Sequence, residues 1–517
     1  MAITEISHGS NTKCIRTTAI YDPKTKEFII NTPDFQAAKC WVGNLGKTAS
    51  MALLFAILYT PDGHNHGLHG FLVPIRDPKT LKAFPNVIVG DIGEKIGLNG
   101  IDNGFVMFQN YRIPKSLLLN RTADVLDDGT YESVFSEPAK MLGAALESFS
   151  AGRVGIMHEA ANTISQAVVI AVRYAAIRKQ FGTERNGPES PIIEYQLHQW
   201  RIFPYLATAC VLKVAVYTLS HAYLSTVEKS QADSNGFELL TQIVSEIHAL
   251  VSSSKAMFTW ITRDAIQEAR ECCGGHGYLK ASNIGELRNN HDATTTYEGD
   301  NNVLGQQGSN WLLRQWNGKI ESPLGSVDFL AQRDQILKTY SFENFNQTMK
   351  DNLISFDFVL SSYEWLMCYL LDVTGNQINQ AKANGVDSFK AKNDAQVYKA
   401  RTLSQALAEY YAMCSFKKKY LDEETSSELK PVLLNIFLIY GFWNLDKHLA
   451  TFYMGGFAQG PKLSEFIRTT LLNACADIKD SAVAIADSLA PPDWVLNSVI
   501  GKSDGKVRQS TLNIYFQ

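Results

Sequence analysis

A surplus of either charge is missing from this sequence. Against 48 Lys+Arg stand 52 Asp+Glu, a formal net charge of −4 over 517 residues. A nucleic-acid binder usually carries a basic excess, so that class gains no support. Long apolar runs are missing as well. Stretches such as 51–59 and 432–443 fall short of the roughly 20 residues that cross a bilayer, and Asn435 interrupts the second. A membrane-spanning chain is therefore not expected. No basic segment followed by an apolar core opens the chain, so no secretory signal is expected. Cysteine is sparse and unpatterned: eight residues, at 14, 40, 210, 272, 273, 368, 414 and 475, without a CxxC pair. A metal or redox motif of that kind is absent. Adjacent Cys272 and Cys273 do not readily bond to each other, and a reducing or neutral intracellular compartment is the expectation. Apolar residues make up 45% of the chain and charged residues 19%, enough to bury a large core and too apolar for disorder.

Three zones differ in texture. Residues 1–137 are rich in Gly, Pro, Thr and short β-prone runs. The patterns predict strands over 28–31, 52–59, 70–75 and 104–111, with turns at Pro61-Asp62-Gly63 and Asp127-Asp128-Gly129. This reads as a mostly antiparallel β domain. From 138 to 320 the period becomes helical. Val154, Met157, Ala161, Ile164, Val168 and Tyr174 recur at that spacing, predicting one long helix over 152–179. Two more long helical patterns cover 192–224 and 236–270, as in an antiparallel bundle. A third zone, 321–505, is helical again at 352–374, 394–419 and 431–453, with a polar linker at 376–387 and no strand run. Residues 506–517 read as a loose tail. Length alone sets a prior of about three domains.

Several motifs have a plain reading. Gly46-Lys47-Thr48 resembles the end of a phosphate loop, but that pattern needs glycine five positions earlier, where Trp41 stands. No GxGxxG follows a strand, so a dinucleotide fold lacks its fingerprint. His64, His66 and His69 lie in a Gly-rich turn with only Asp62 nearby, and read as a surface loop rather than a metal site.

Other segments carry chemistry. Cys273-Gly274-Gly275-His276-Gly277-Tyr278 follows a long helix; its glycines either end the helix or let backbone approach something flat or phosphorylated. Thr295-Thr296-Tyr297-Glu298-Gly299-Asp300-Asn301-Asn302 places a carboxylate before glycine, as for a base on a loop. Thr4-Glu5 and His8-Gly9-Ser10-Asn11 offer hydroxyls and backbone amides. Trp41-Val42-Gly43-Asn44 sets an indole beside a glycine. Arg178-Lys179-Gln180-Phe181-Gly182 closes the long helix with cations, which suit its dipole in any case.

Taken in order with Gly152-Arg153-Val154-Gly155-Ile156, these six segments resemble the acyl-CoA oxidases, flavoproteins with the acyl-CoA dehydrogenase fold. The resemblance runs from residue 2 to about 505, and is nearest to the peroxisomal type associated with branched-chain (pristanoyl) acyl-CoA. It implies an α+β, mainly α fold: an antiparallel β domain (1–137), an FAD-binding four-helix bundle (138–320) and a second C-terminal helical domain (321–505). It implies FAD as cofactor, with Thr4, Trp41 and Gly43 beside the flavin. Dehydrogenases carry threonine two residues after the tryptophan; oxidases carry glycine, which opens space for O₂. Arg178, Phe181, Gly274 and Gly275 match residues that reach the partner subunit's cofactor, implying a homodimer. Ser10 and Arg153 are expected to touch substrate, and Glu298 falls on the family's catalytic base. The implied reaction turns a 2-methyl-branched or long-chain acyl-CoA and O₂ into trans-2-enoyl-CoA and H₂O₂. Burial under the acyl chain is expected to raise the pKa of Glu298 toward neutrality.

The chain also departs from the family. Thr4 stands three residues from the start, where family members have a preceding helical domain, so a shortened chain is expected. Gly305 occupies a position expected to hold a larger apolar residue. No terminal Ser-Lys-Leu is present, so peroxisomal location rests on the resemblance alone. Two rival readings fit the same sequence: an acyl-CoA dehydrogenase passing electrons to a flavoprotein, and a truncated, non-catalytic dimerisation partner.

Overall fold

The computed structural model describes residues 1–134, 138–184, 187–232, 237–348, 353–422 and 424–507. The chain divides into two compact units, Met1–Phe149 and Ser150–Gln517. The expected boundary at residue 137 and most of the 506–517 tail lie outside the described residues.

In the first unit, alternation of apolar and polar residues builds strands. They are β1 (Thr18–Asp22), β2 (Glu27–Asn31), β3 (Lys39–Gly43), β4 (Met51–Tyr59), β5 (Asn65–Pro74), β6 (Val87–Asp91), β7 (Asn103–Phe108), β8 (Tyr111–Pro114), β9 (Ala123–Val125) and β10 (Tyr131–Ser133). A five-stranded sheet has the order β5-β4-β1-β2-β8, a three-stranded sheet β3-β7-β6, and β9 pairs with β10. Among the described strands only the β1–β4 pairing is parallel, so the mostly antiparallel expectation holds. Tyr21, Phe28, Ile30, Leu54, Phe71 and Val73 fall on the inward face and close the core. The segment expected as one strand over 104–111 is two strands, because Asn110 takes a left-handed φ of +48° between them.

The second unit is helical. The first five helices are α1 (Pro138–Ile177), α2 (Gln196–Ala232), α3 (Phe237–Cys272), α4 (Ile284–Asp292) and α5 (Asn301–Asn317). Two short helices, α6 (Arg333–Thr339) and α7 (Phe342–Thr348), precede α8 (Phe356–Ala383), and α9 (Ser388–Asn393) leads to α10 (Arg401–Leu421). The chain continues through α11 (Lys430–Lys447), α12 (Leu449–Met454), α13 (Lys462–Ile478), α14 (Ala482–Leu489) and α15 (Asp493–Leu496). Helix α8 starts at a Ser355 cap, whose hydroxyl accepts from the Phe358 amide. It runs on to Ala383, so most of the expected 376–387 linker is helix. Helix α10 packs against α2, α3, α5 and α8, and one apolar cluster runs through the whole unit.

Two helical spans, Ser150–Ile177 and Gln196–Glu228, are by length and composition alone apolar enough to cross a bilayer. Polar residues interrupt them, so no apolar run stands out. Their apolar faces are mostly buried inside the unit, which marks them as core helices.

Candidate active site

In the helical unit, two cationic side chains converge on the loop before α5. Glu298 takes φ +50° and Gly299 φ +108°. A left-handed glutamate costs about 1–2 kcal/mol, so its surroundings must impose it. They do so through three successive carbonyls. Lys255, wholly buried on α3, donates from Nζ to the Tyr297 carbonyl at 2.9 Å, the Gly299 carbonyl at 2.9 Å and Asn301 Oδ1 at 3.0 Å. Arg153 Nε on α1 donates to the carbonyl between them, that of Glu298, at 2.9 Å. Asn301 Nδ2 in turn donates to Thr259 Oγ1 at 2.9 Å. Asp300 caps α5, its Oδ1 accepting from the Asn302 amide at 2.9 Å.

The Glu298 carboxylate lies over α1 at Gly152. A Cβ at residue 152 would fall 2.1 Å from Glu298 Oε2, so only glycine leaves that space. The carboxyl is open to solvent on one side, yet it is walled closely enough that burial raises its pKa. The charges of Arg153 and Lys255 pull the other way without cancelling the rise. The direction is that of a base drawn toward neutral pH. Tyr297 OH donates to Glu159 Oε2 at 3.1 Å, bracing the loop against α1. Arg153 is buried and its Nη1 has no partner, and its one defined role is at the Glu298 backbone.

The opposite end of α1 holds a second cluster. Tyr174 OH and His276 Nδ1 lie 3.1 Å apart, joining the last turns of α1 to the turn after α3. Tyr174 stands one turn before Arg178, and His276 directly follows Gly275. Arg178 is exposed, and Phe181 projects at φ +57° with 80% of its surface open. Tyr278 is 81% exposed. A Cβ at Gly274 or Gly275 would meet nothing within 4 Å. From Gly152 to Ile177 the helix rises about 37 Å. The Glu298 and Phe181 clusters are thus separated within one chain.

In the β unit, the Cys40 amide donates to the Thr4 carbonyl at 3.0 Å, setting the Thr4 segment alongside β3. A bulge between Lys39 and Val42 gives Trp41 a φ of +66° and leaves its indole 62% exposed. At Gly43 a Cβ would meet only Ile101 Cγ2, at 3.6 Å. Ser10 is exposed, six residues beyond Thr4. Glu5, the other half of the threonine-glutamate motif, is structural. It pairs with Lys39 at 3.1 Å and accepts from the Thr17 hydroxyl and the amides of Arg16 and Thr17. Burial opposes its charge, but these partners outweigh burial and hold it below the usual carboxylate range.

Two motifs set aside above have structural uses. Lys47 and its amide face Asp91 and Asp102, a setting that repels phosphate. His66 and His69 belong to β5 rather than to a surface loop. The His66 ring stacks on Tyr131 at 3.8 Å, and His69 Nε2 lies 3.1 Å from Tyr131 OH. Among the described residues no His, Cys, Asp and Glu group suits a metal ion. All eight cysteines are free thiols. Two residues central to the Glu298 loop escaped the sequence reading, Lys255 and Glu159. Asn301 and Gly152 were each read only as part of a motif.

This β unit followed by a long-helix unit is the fold of solved acyl-CoA oxidases. It superposes on Arabidopsis thaliana acyl-CoA oxidase 1 with a TM-score of 0.90 at 32% identity, covering 100% of this chain and 76% of that one. A Caenorhabditis elegans acyl-CoA oxidase-1 structure complexed with FAD and ATP gives 0.87 at 29% identity, covering 100% and 74%. By sequence, the human peroxisomal acyl-coenzyme A oxidase 3 is 45% identical over 519 residues, 98% of this chain and 72% of that protein. The description "Acyl-CoA dehydrogenase, middle domain" matches residues 1–111, "Acyl-CoA oxidase, C-alpha1 domain" 147–313, and "Acyl-CoA oxidase" 355–514. The chain belongs to the acyl-CoA oxidase family.

Proposed function

We propose that this chain is an FAD-dependent acyl-CoA oxidase of peroxisomal fatty-acid β-oxidation, with Glu298 as its base. The observation that carries the reading is the Glu298 carboxylate, seated over Gly152 on a backbone pinned by Lys255 and Arg153. The residues fit a flavin. The exposed Trp41 indole offers a flat apolar face, and the open space at Gly43 leaves room beside a ring. The turn at Gly274 and Gly275 presents bare backbone of the kind a nucleotide cofactor approaches. In this reading Thr4, Trp41 and Gly43 hold the cofactor of their own chain. When bound, FAD supplies the hydride acceptor and the route of the electrons to O₂, which leaves as H₂O₂.

The protein's part is proton removal and positioning. An α-proton of a thioester is weakly acidic, so its base gains from a pKa near neutrality, the direction burial gives Glu298. Glu298 takes that proton and holds it while the β-hydrogen departs as hydride, leaving a trans-2 double bond. The Lys255 and Arg153 clamps keep the carboxylate from swinging with its loop. Ser10 and Arg153 are assigned to substrate contact, Arg153 through its unpartnered Nη1.

Arg178, Phe181, Gly274 and Gly275 are assigned to a second copy's cofactor. Their distance of about 37 Å from Glu298 along α1 supports that assignment, since one compact cofactor site does not reach both ends. The unit is then a homodimer. The division at 137/138 and 320/321 into β domain, FAD-binding bundle and C-terminal helical domain belongs to the same reading. So does preference for a branched-chain acyl-CoA, supported by the resemblance to the pristanoyl type. Peroxisomal location is supported by the human relative's name.

The test is peroxide release in air from FAD-loaded protein and an acyl-CoA, with no other electron acceptor. Stoichiometric H₂O₂ and enoyl-CoA are expected. Reduced flavin that persists in air until an electron-transfer flavoprotein is added would place the activity with the dehydrogenases.

A further inference from the structure

Lysine is among the residues least often wholly buried, because removing its charge from water is costly. Lys255 sits mid-helix on α3 with no exposed surface. Its three donors do not go to a carboxylate. They go to the two carbonyls flanking Glu298 and to Asn301, the first residue of α5. An ammonium has three donors and no more, so the whole hydrogen-bonding capacity of this side chain is spent on one loop. Resting on the assignment of Glu298 as base, we infer that Lys255 is a positioning residue for the reaction: it holds the left-handed turn on which Glu298 stands and supplies positive charge facing the carboxylate.

The geometry separates this role from ordinary packing. In extended chain, successive carbonyls point to opposite sides. Those of Tyr297, Glu298 and Gly299 all meet cations, and this requires the positive φ at Glu298 and Gly299. Lys255 is bonded on both sides of Glu298, so it fixes the direction in which the Glu298 side chain leaves the loop. A buried methionine of similar length would fill the same space but hold neither carbonyl.

Charge is the second part. From α1, Glu298 faces Arg153; from α3, Lys255. Asp300 follows it in the loop, and Glu159 lies beyond Tyr297 on α1. His248 on α3 lies near Arg153 and is bonded to Gln307, and His291 on α4 is bonded to the Thr259 carbonyl. Arg153 and Lys255 are the cations that lower the Glu298 pKa against its burial. Removing Lys255 leaves Arg153 alone against that burial, so the carboxyl must keep its proton to a higher pH.

The experiment uses the full chain loaded with FAD and compares wild type, Lys255→Met, Lys255→Gln and Glu298→Gln. Activity toward one acyl-CoA is measured across pH, together with flavin content and amide hydrogen exchange over residues 297–303. Lys255→Met is expected to retain flavin and KM, to lose kcat on the order of 100-fold, and to exchange faster in that loop. Lys255→Gln keeps a donor but no charge, so its kcat falls less. In both, the acid limb of kcat/KM moves to higher pH. An unmoved limb in Lys255→Met beside an inactive Glu298→Gln overturns the role of Lys255 alone. Turnover surviving in Glu298→Gln overturns the base assignment and this inference with it. If neither Lys255 variant yields folded, flavin-loaded protein, Lys255 is a folding residue and the inference fails.

Discussion

At the scale of the residue, two positions show how little separates stability from chemistry. Gly152 lies inside α1, where alanine is the better helix former by up to about 1 kcal/mol. Its missing Cβ is the space occupied by the Glu298 carboxylate. Gly152→Ala is therefore expected to leave thermal stability intact, because a flexible carboxylate can swing aside. The same change should lower kcat on the order of 100-fold. Melting curves and initial rates on one preparation check both halves. Glu5 is the converse case, a carboxylate whose work is structural. Glu5→Gln leaves Lys39 buried without its partner and should destabilise the protein by about 3–5 kcal/mol in a denaturant titration. The folded-state pKa of Glu5 is depressed. Its contribution is thus present above the unfolded value near 4.3 and lost as pH falls through the lower folded value. The variant should lose that portion of acid sensitivity.

What the sequence disclosed at this scale depended on locality. Glu298 was singled out because its segment is one of six that together resemble a family, since an aromatic and a glycine beside a carboxylate mark no more than a loop. Lys255 was not, since it follows three serines on a helix and its partners lie more than forty residues on. No local pattern distinguishes a lysine that faces water from one that faces a distant carbonyl. Gly152 was read as part of a motif and Gly305 as a departure from one, and only the neighbours brought in by folding show what each missing side chain leaves free.

At the scale of the element, the glycines of α5 give a paired test. A Cβ at Gly305 would meet nothing nearer than Ser404 Oγ at 3.8 Å, an ordinary contact. A Cβ at Gly308 would fall 2.0 Å from Ser253 Oγ, where α3, α5 and α10 cross. Gly305→Ala should stabilise the protein by about 0.5–1 kcal/mol, filling the space the sequence reading expected to be filled. Gly308→Ala should destabilise it by about 1–3 kcal/mol through overpacking. Denaturant midpoints that shift in the same direction for both would contradict the packing described here. Helix periodicity located the long helices but not their ends. α1 begins fourteen residues before the expected start, and 431–453 splits at His448 into α11 and α12. Ends depend on capping and tertiary contact, which a repeating apolar stripe does not encode. Short strands such as β1, β3 and β6 went unread, while β2, of the same five-residue length, was found through its apolar run Phe28-Ile29-Ile30.

At the scale of the whole molecule, composition pointed to a large core, and the order of six weak segments pointed to a family. Neither indicated that α2 and α3 share one apolar cluster with α8 and α10. The distance along α1 makes the proposed dimer testable. Phe181→Glu, which charges a ring that stands 80% exposed, should halve the sedimenting mass and release FAD together. A stable flavin-loaded dimer in that variant would contradict the assignment of Phe181 to the partner's cofactor. Glu298, at the far end of the helix, predicts a different signature. Its burial places the acid limb of kcat/KM above the ordinary glutamate value of about 4.3, a shift read from the pH profile.

The most direct measurement is anaerobic flavin reduction on mixing with acyl-CoA, followed by the loss of flavin absorbance in wild type and Glu298→Gln. The account predicts rapid bleaching in wild type, and an equally yellow, substrate-binding variant that does not bleach. A Glu298→Gln protein that bleaches at the wild-type rate would show that the α-proton goes elsewhere.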